Sequence, residues 1–387
     1  MIARDIHKKL VEISTYYPIT TITGPRQSGK TTLIKSVFSD LPYVLLEAPD
    51  IKNRVLEDPR GFLDRYPNGA IFDEIQNTPE LFSYLQGIVD ENKDIKFILS
   101  GSQNFLLLEN ISQTLAGRTA ILKLLPLSLA ELKKTKYKIK NSLDYIFKGS
   151  YPRLYNNSIP PDIFYSDYIQ TYVERDVRTI KNIGDLDTFR RFVQLCAGRI
   201  GQILNMNSLA SDTGITINTA KSWISILEAS YIVHLLQPHH KNFNKRLVKS
   251  PKMYFYDTGL ACNLLRIKSA VQLDLHHLRG NLFENFIVNE LLKSKFNNAE
   301  PSNLYYWRDK HGKEIDCLIE TANKLIPIEI KSSKTYTKEY FKHLIYWNKL
   351  SGSDKKDNYL IYNGDENDKL PNGNLISWNS LEKIPLE

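Results

Sequence analysis

The stretch Gly24-Pro25-Arg26-Gln27-Ser28-Gly29-Lys30-Thr31 decides the fold of the N-terminal part of the chain. It satisfies the pattern GxxxxGK(S/T) and lies between an apolar run predicted as a strand and a segment predicted as a helix, the context that a phosphate-binding loop requires. The glycines let backbone N–H groups turn toward phosphates, and the helix presents the positive end of its dipole. We therefore predict a nucleotide site that binds ATP. The predicted contact residues are Gly24, Pro25, Arg26, Gln27, Ser28, Gly29, Lys30, Thr31 and Thr32.

An acidic pair, Asp73 and Glu74, stands where a second apolar run ends. Nucleotide hydrolysis needs a carboxylate near the metal ion and a group that orients water, and this pair supplies both. We predict that Thr31 and Asp73 hold Mg²⁺. Lys30 is expected to reach the β- and γ-phosphates, and Glu74 to polarise the attacking water. Acidic pairs at strand ends are common, so this assignment depends on the phosphate loop.

Two later segments carry polar residues that could complete a hydrolysis site. The run FILSGSQNF contains Ser102 and Gln103, either of which is a candidate sensor of the γ-phosphate, and the sequence does not choose between them. Arg118 follows the next helix and precedes the last strand of this region. It is either a catalytic residue or half of a surface salt bridge.

Short apolar runs alternate with helical patterns through residues 1–126, which predicts an α/β domain with a mainly parallel sheet covered on both faces. With the phosphate loop, acidic pair, polar strand end and late arginine in this order, the region resembles the core of the AAA+ ATPases. The resemblance implies that Arg118 acts on the nucleotide of a neighbouring subunit. It therefore also implies a homo-oligomer, with a ring as the expected form.

Composition limits what the whole chain can be. Its 387 residues predict two or three domains, and a hydrophobic fraction of 42% excludes wholesale disorder. Lys and Arg number 51 against 43 Asp and Glu, an excess of +8 that suggests a polyanionic partner. The three cysteines lack disulfide or zinc-site spacing, and no run of about 18 apolar residues occurs. We therefore predict a cytoplasmic protein without a membrane segment.

Residues 127–185 have helical spacing and are predicted to form a helical lid or connector. The segments LAGR, GSYPRLY, ERDVR, FYDTGL and LFENFIVNEL together resemble a prokaryotic branch of AAA+ ATPases in which a winged helix and a restriction-endonuclease-like domain follow the core. Arg153 and Arg178 are candidates for contact with nucleotide from the lid. Ion pairs with Glu174 or Asp176 are an equal alternative.

Residues 186–265 are predicted to form a winged helix-turn-helix with three helices and two short strands. The segment between the strands is rich in cations that would meet the phosphates of DNA or RNA, while the third helix would enter a groove. The alternative is a solvated hairpin and a helix that packs against protein. The predicted nucleic-acid patch consists of Lys241, Lys245, Arg246, Lys249 and Lys252.

Residues 266–387 are predicted to form a second α/β unit. In LIPIEIK the strand period places Glu329 and Lys331 on one face, and Asp316 lies on a neighbouring strand. Two carboxylates and a lysine can bind Mg²⁺ and hold an activated water, with Asp316 and Glu329 as metal ligands. Together with Glu284 on the preceding helix, the set resembles the PD-(D/E)XK nucleases. The pattern is short, and it also arises by chance in many hairpins.

Two functions follow from these predictions. The first is an oligomeric ATPase that couples ATP hydrolysis to the remodelling or surveillance of nucleic acid and carries a Mg²⁺-dependent nuclease-like domain. The second is a nucleotide-controlled regulatory or defence switch whose two later domains bind protein partners without cleavage. Metal-dependent cleavage of DNA or RNA distinguishes the two.

Overall fold

The computed structural model describes residues 2–102, 114–137, 139–173, 185–239 and 249–386. Its N-terminal strands are β1 (Ile19–Thr23), β2 (Tyr43–Leu45), β3 (Gly69–Asp73), β4 (Lys96–Gly101) and β5 (Thr119–Lys123). They form a five-stranded sheet in the order β2-β3-β4-β1-β5, and every neighbouring pair is parallel. This is the parallel core that the alternating sequence pattern predicts.

Helices cover both faces of this sheet, because its strands are apolar on both sides. On one face, Leu10 and Leu33 pack with the isoleucines of β1, β3 and β4; on the other, Phe62, Phe82 and Leu85 pack against Phe72 and neighbouring residues. The helices of this region are α1 (His7–Tyr16), α2 (Lys30–Val37), α3 (Pro49–Glu57), α4 (Pro59–Leu63) and α5 (Leu81–Glu91).

The carboxyl ends of three adjacent strands meet at one edge of the sheet. In the parallel register, Thr23 at the end of β1 pairs with Gly101 of β4, and Asp73 at the end of β3 pairs with Ser100. The phosphate loop follows β1 directly, and Glu74 follows β3. The sheet therefore brings together segments that lie about 50 to 80 positions apart in the sequence.

Short helices follow the core: α6 (Leu129–Lys133), α7 (Ser142–Lys148), α8 (Pro152–Asn156) and α9 (Pro161–Tyr168), which continues into a π-helical turn at Ile169–Val173. The side chain of Ser128 caps α6 in a reciprocal capping box with Glu131. Asp257, from a later part of the chain, is buried and accepts hydrogen bonds from Ser150 and from the hydroxyl of Tyr165. These helices are therefore tied to the region that follows them.

The next region contains α10 (Leu186–Ala197), α11 (Met206–Thr213) and α12 (Ile217–Ala229). The sequence pattern predicts one helix through Leu204, but α10 ends at Ala197 because Gly198 and Gly201 interrupt it, and Gln202–Ile203 forms a strand, β6. With β7 (Val233–Leu236) and β8 (Lys252–Phe255), β6 forms an antiparallel sheet in the order β6-β8-β7.

The C-terminal region begins with α13 (Thr258–Leu264), α14 (Ala270–Leu275) and the long α15 (Arg279–Asn297). Its strands are β9 (Leu304–Arg308), β10 (Glu314–Glu320), β11 (Leu325–Lys331), β12 (Tyr359–Tyr362), β13 (Asp368–Leu370) and β14 (Gly373–Ser377). They form a mixed six-stranded sheet in the order β13-β14-β12-β11-β10-β9. One further helix, α16 (Lys342–Ser351), packs on β10 and β11.

One apolar cluster extends from the lid helices through α10–α12 to α15 and the C-terminal sheet. Two buried charges of α15 bond to the backbone at the start of α6: Glu290 accepts a hydrogen bond from the backbone N–H of Leu129 (2.6 Å), and Lys293 donates to the carbonyl of Leu127 (3.0 Å). Cys196, Cys262 and Cys317 are buried and free. Among the described residues, no helix has the length and apolar composition that a membrane crossing requires.

Candidate functional site

The phosphate loop is held by its glycines and by Lys30. Gly29 has a φ of 97°, and a Cβ at Gly24 would lie 2.1 Å from the carbonyl oxygen of Leu124, so neither position accommodates a side chain without strain. The buried ammonium of Lys30 donates to the carbonyls of Gly24 (2.9 Å) and Pro25 (3.0 Å). Helix α2 begins at Lys30, so the N–H groups of its first turn lie beside the loop.

Asp73 is the centre of the predicted metal position. It is buried, and its Oδ2 accepts hydrogen bonds from the hydroxyls of Thr31 (2.7 Å) and Tyr43 (2.8 Å), while Ser100 donates to its Oδ1. Burial raises the pKa of Tyr43, so its hydroxyl stays a donor. Mg²⁺ prefers oxygen ligands in an octahedral shell completed by water and phosphate. The oxygens of Thr31 and Asp73 fit this requirement, because the fold already holds them in contact.

Glu74 lies at the rim of a cavity of about 490 Å³. Its φ of 57° turns the chain away from β3, and its Oε2 accepts hydrogen bonds from Gln76 (2.5 Å) and Ser102 (3.1 Å). Ser102 thus touches the predicted water-polarising residue, whereas Gln103 lies outside the described residues. The predicted loop residues that line this cavity are Arg26, Gln27, Gly29, Lys30, Thr31 and Thr32.

Lid helix α8 closes the other side of the same cavity. Arg153, Asn156 and Asn157 line it together with the phosphate loop. Arg153 is therefore placed to face a nucleotide bound by its own chain. Its alternative partners Glu174 and Asp176, and the second candidate Arg178, lie outside the described residues. The two asparagines have no motif of their own, and only the fold shows that they reach this cavity.

Arg118 lies at the amino ends of the strands, opposite the carboxyl ends beside the phosphate loop. It precedes β5, whose first residue, Thr119, pairs with Ile19 at the start of β1. Its guanidinium makes two 2.7 Å bonds to the carboxylate of Asp90 on α5. This pairing lowers the pKa of Asp90. Within one chain, then, Arg118 makes the surface salt bridge that the sequence left as an alternative, and it lies away from its own phosphate loop.

Arg4 is a residue of this site that sequence reasoning missed. Its nearly buried guanidinium donates to the carbonyls of Ser28 (2.7 Å) and Leu125 (2.6 Å) and pairs with Glu131 at 2.9 Å. The C=O and N–H of one trans peptide point in opposite directions. The bond to Ser28 therefore turns the N–H of Gly29 away from Arg4 and holds it in one orientation. A single arginine near the N-terminus carries no motif that would reveal this contact.

A second missed contact joins the phosphate loop to the region after α12. The hydroxyls of Tyr231 and Thr23 are hydrogen-bonded at 2.7 Å, and both side chains are buried. Tyr231 lies between α12 and β7 and has a φ of 56°, which is uncommon for a residue other than glycine. Since Thr23 is the last residue before Gly24, the phosphate loop is linked directly to the turn that follows α12.

The predicted nucleic-acid patch is only partly described by the structure. Lys249 is exposed, as expected, whereas Lys241, Lys245 and Arg246 lie outside the described residues. The assignment of Lys252 to this patch is wrong, because it is 3% exposed and its ammonium pairs with Glu284 (2.8 Å) and Glu314 (2.5 Å). A lysine enclosed by carboxylates cannot meet a phosphate backbone.

The residues of the predicted nuclease-like site come together in space. Strands β10 and β11 are antiparallel with Cys317 opposite Ile328, so Asp316 and Glu329 occupy the next facing positions. The ammonium of Lys331 lies 2.5 Å from Glu329 and 3.9 Å from Asp316. Burial works against the charge of Lys331, but these two carboxylates outweigh it and raise its pKa.

Glu284 projects into the same cluster from α15 and is held there by β8. Its Oε1 accepts from Lys252 and from the hydroxyl of Tyr254 (2.5 Å). Burial raises the pKa of Glu284 to about 7, although the charge of Lys252 acts in the opposite direction. Burial and the neighbouring Asp316 also raise the pKa of Glu329. Among the described residues, no group of three or more His, Cys, Asp or Glu is arranged to hold a metal ion.

Comparisons with known proteins support the interpretation of the N-terminal part. Residues 16–133 match the family model described as an AAA domain. Residues 139–271 and 279–381 match two further families, each described as a domain of unknown function. The parallel core, its phosphate loop and the family match together define an AAA-type ATPase fold with two units attached.

Similar proteins share most of the length of the chain. The chain is 29% identical over 337 residues to Uncharacterized protein Rv2008c of Mycobacterium tuberculosis, which covers 86% of this chain and 74% of the relative. It is 25% identical over 355 residues to Uncharacterized protein MJ1544 of Methanocaldococcus jannaschii, with 84% and 76% covered. The solved Walker-type ATPase of Pyrococcus abyssi aligns at 15% identity and a TM-score of 0.48, over 68% of this chain and 96% of that chain.

Proposed function

We propose that this protein binds ATP with Mg²⁺ at the phosphate loop and hydrolyses it. The contact between Thr31 and Asp73, with Thr31 and Glu74 lining one cavity, carries this proposal. Thr31 lies in the first turn of α2 after the phosphate loop, Asp73 ends β3, and Glu74 follows it. Phosphoryl transfer depends mainly on positioning and on stabilising charge, which such an arrangement supplies.

Each side chain of the site has a defined task in this proposal. The N–H groups of the loop and of the first turn of α2 bind phosphate oxygens, and Lys30 exchanges its two carbonyl partners for the β- and γ-phosphates. Thr31 and Asp73 hold Mg²⁺, which neutralises phosphate charge when bound. Glu74 accepts a hydrogen bond from the attacking water and orients it. Arg153 approaches the nucleotide from the lid.

The test is hydrolysis by the wild-type chain. We expect phosphate release from ATP that requires Mg²⁺ and stops in EDTA, together with binding of a non-hydrolysable ATP analogue. The measurement is release of inorganic phosphate, with the analogue added as a competitor. Absence of both binding and turnover in folded protein would contradict the proposal.

The oligomer remains part of the proposal and depends on Arg118. Because this side chain lies at the sheet edge opposite its own phosphate loop, any contact it makes with nucleotide involves a neighbouring copy. Such an action requires Arg118 to leave its exposed salt bridge with Asp90, and exposed pairs contribute little stability. The salt bridge is therefore compatible with a catalytic role between subunits.

The proposal extends to nucleic acid through the region after the lid. Helices α10, α11 and α12 followed by the antiparallel strands β7 and β8 support the proposal of a winged helix-turn-helix. The cation-rich segment between those strands, with exposed Lys249 at its end, supports contact with a phosphate backbone. A cytoplasmic location stays a prediction.

The carboxylate cluster supports a second, nuclease-like activity, and the switch without cleavage is the alternative. If the cluster is catalytic, Mg²⁺ or Mn²⁺ will promote cleavage of DNA or RNA, and Asp316→Ala and Lys331→Ala will abolish it. The measurement is gel analysis of single- and double-stranded substrates after incubation with metal, with Lys356→Ala, at an exposed lysine outside the cluster, as the control variant. Intact substrates in every condition, with ATP hydrolysis preserved, would favour the switch.

A further inference from the structure

The carboxylate cluster at the C-terminal sheet contains its own cations. Four acidic side chains, Glu284, Glu314, Asp316 and Glu329, are matched by three basic ones, Lys252, Arg308 and Lys331, through the ion pairs between them, and the imidazole of His343 also lies 3.5 Å from Glu329. The four acidic side chains differ in their partners. Two of them are joined to Lys252, and the other two lie side by side on β10 and β11.

Lys252 occupies the part of the cluster nearest α15. Its ammonium is almost fully buried and lies between Glu284 and Glu314, and Tyr254 of the same strand donates a second hydrogen bond to Glu284. Arg308 holds the other oxygen of Glu314 at 2.9 Å. Oε1 of Glu284 and both oxygens of Glu314 are therefore engaged by protein groups that arrive from β8 and β9.

The part formed by Asp316 and Glu329 is different. Glu329 is 2% exposed, and its Oε2 has no hydrogen-bond partner among the residues that the structure describes. Asp316 accepts one backbone hydrogen bond, from Ile330 at 2.8 Å. The pairing of β9 with β10 is irregular between Ile315 and Leu318, and such bulges re-aim side chains next to functional sites. An unpaired buried carboxylate oxygen is costly and calls for a cation.

We propose that Lys252 acts as a built-in cation that neutralises Glu284 and Glu314 and leaves Asp316 and Glu329 as the protein ligands for a divalent metal ion. The proposal rests on the assignment of this cluster as a metal site. A divalent ion bound by either oxygen of Glu284 would lie close to the Lys252 ammonium, which is 2.8 Å from Oε1, and the two positive charges would repel each other. The position of β8, which carries Lys252, thus decides whether Glu284 is available to bind the metal ion.

Metal binding tests this without relying on activity. Mn²⁺ would be titrated into the nucleotide-free full-length protein, and free Mn²⁺ measured by electron paramagnetic resonance. We expect Asp316→Asn to weaken Mn²⁺ binding by about tenfold or more, because it removes a direct ligand. Glu284→Gln should change the affinity by less than about twofold, because the new amide oxygen still accepts from Lys252 and Tyr254.

The reverse experiment removes the internal cation. Lys252→Met should tighten Mn²⁺ binding by about tenfold, because it frees Glu284 and removes a like charge, and Lys252→Met combined with Glu284→Gln should lose that gain. If Lys252→Met fails to fold, which thermal unfolding will show, the comparison of Glu284→Gln with Asp316→Asn decides alone. Equal weakening by those two variants would overturn the role of Lys252.

The outcomes also separate this proposal from the assignment of the metal site. If wild-type protein binds no Mn²⁺ that Asp316→Asn removes, and Lys252→Met does not create such binding, the cluster is not a metal site and both ideas fail. If wild-type protein binds none but Lys252→Met does so in a Glu284-dependent way, Asp316 and Glu329 do not suffice as ligands and that part of the proposal fails, while the neutralising role of Lys252 is supported. Loss of ATP hydrolysis is not expected in any of these variants.

Discussion

Replacement of Glu74 by glutamine should lower the turnover of ATP by about 10²–10⁴-fold while nucleotide binding persists. Glutamine has the size of glutamate, so it keeps the acceptor oxygen that Ser102 and Gln76 contact and leaves the loop in place. It has no negative charge with which to polarise an attacking water. Phosphate release measures the turnover, and titration with a fluorescent ATP analogue measures the binding.

Two further variants serve as a control and a comparison for Glu74→Gln. Glu80→Gln removes an exposed carboxylate a few residues later in the chain and should leave turnover unchanged. Lys30→Ala should lose binding as well as turnover, because the cavity then lacks its cation for the phosphates. Wild-type turnover in Glu74→Gln would assign the water-orienting role to another residue.

Replacement of Arg4 by lysine should weaken binding of ATP by about tenfold to a hundredfold in a folded protein. The guanidinium serves Ser28, Leu125 and Glu131 at once, whereas an ammonium is a single point charge. Lysine can keep the pairing with buried Glu131, which protects the fold, but it releases the carbonyl of Ser28. The N–H of Gly29 then loses its fixed orientation toward the phosphates, and affinity falls.

The measurement is the same analogue titration, accompanied by thermal unfolding. Lys134→Ala is the matched control, because Lys134 pairs with Asp5 next to Arg4 but lies on the surface and does not touch the loop. It should leave affinity unchanged. An unfolding temperature near that of wild type with unaltered affinity in Arg4→Lys would show that Arg4 supports the fold and not the phosphate site.

The parts of the fold that local pattern predicts are those where periodicity is strong. Strands β9, β10 and β11 and helix α15 lie where alternation and helical spacing place them. The end of α10 was missed because a helical pattern continued past Gly198. The polar composition of residues 351–368 predicts a loop, but they contain β12, whose apolar residues Leu360 and Ile361 are buried by packing against residues that are distant in the sequence.

The residues of the candidate sites likewise include some that motifs predict and others that only the tertiary fold brings to the site. Residues within motifs, such as Thr31 and Asp73, lie together because strand ends of a parallel sheet share an edge. Arg4 and Tyr231 belong to no motif and reach the loop only through the tertiary fold. Lys252 is the clearest case in which the sequence pattern misleads. It lies at the end of a run of cations, but it is also the first residue of β8, a buried strand.

The buried pair Glu290 and Lys293 on α15 bears on how the protein unfolds. Glu290 is bonded to the N–H of Leu129, the first residue of α6, and Lys293 to the carbonyl of Leu127 just before it, more than 150 residues away in the sequence. Detaching α15 from the lid would expose two charges and leave this donor and this acceptor without partners, at a cost of roughly several kcal/mol. The lid and the C-terminal region are thus expected to melt in one cooperative transition and not as separable modules.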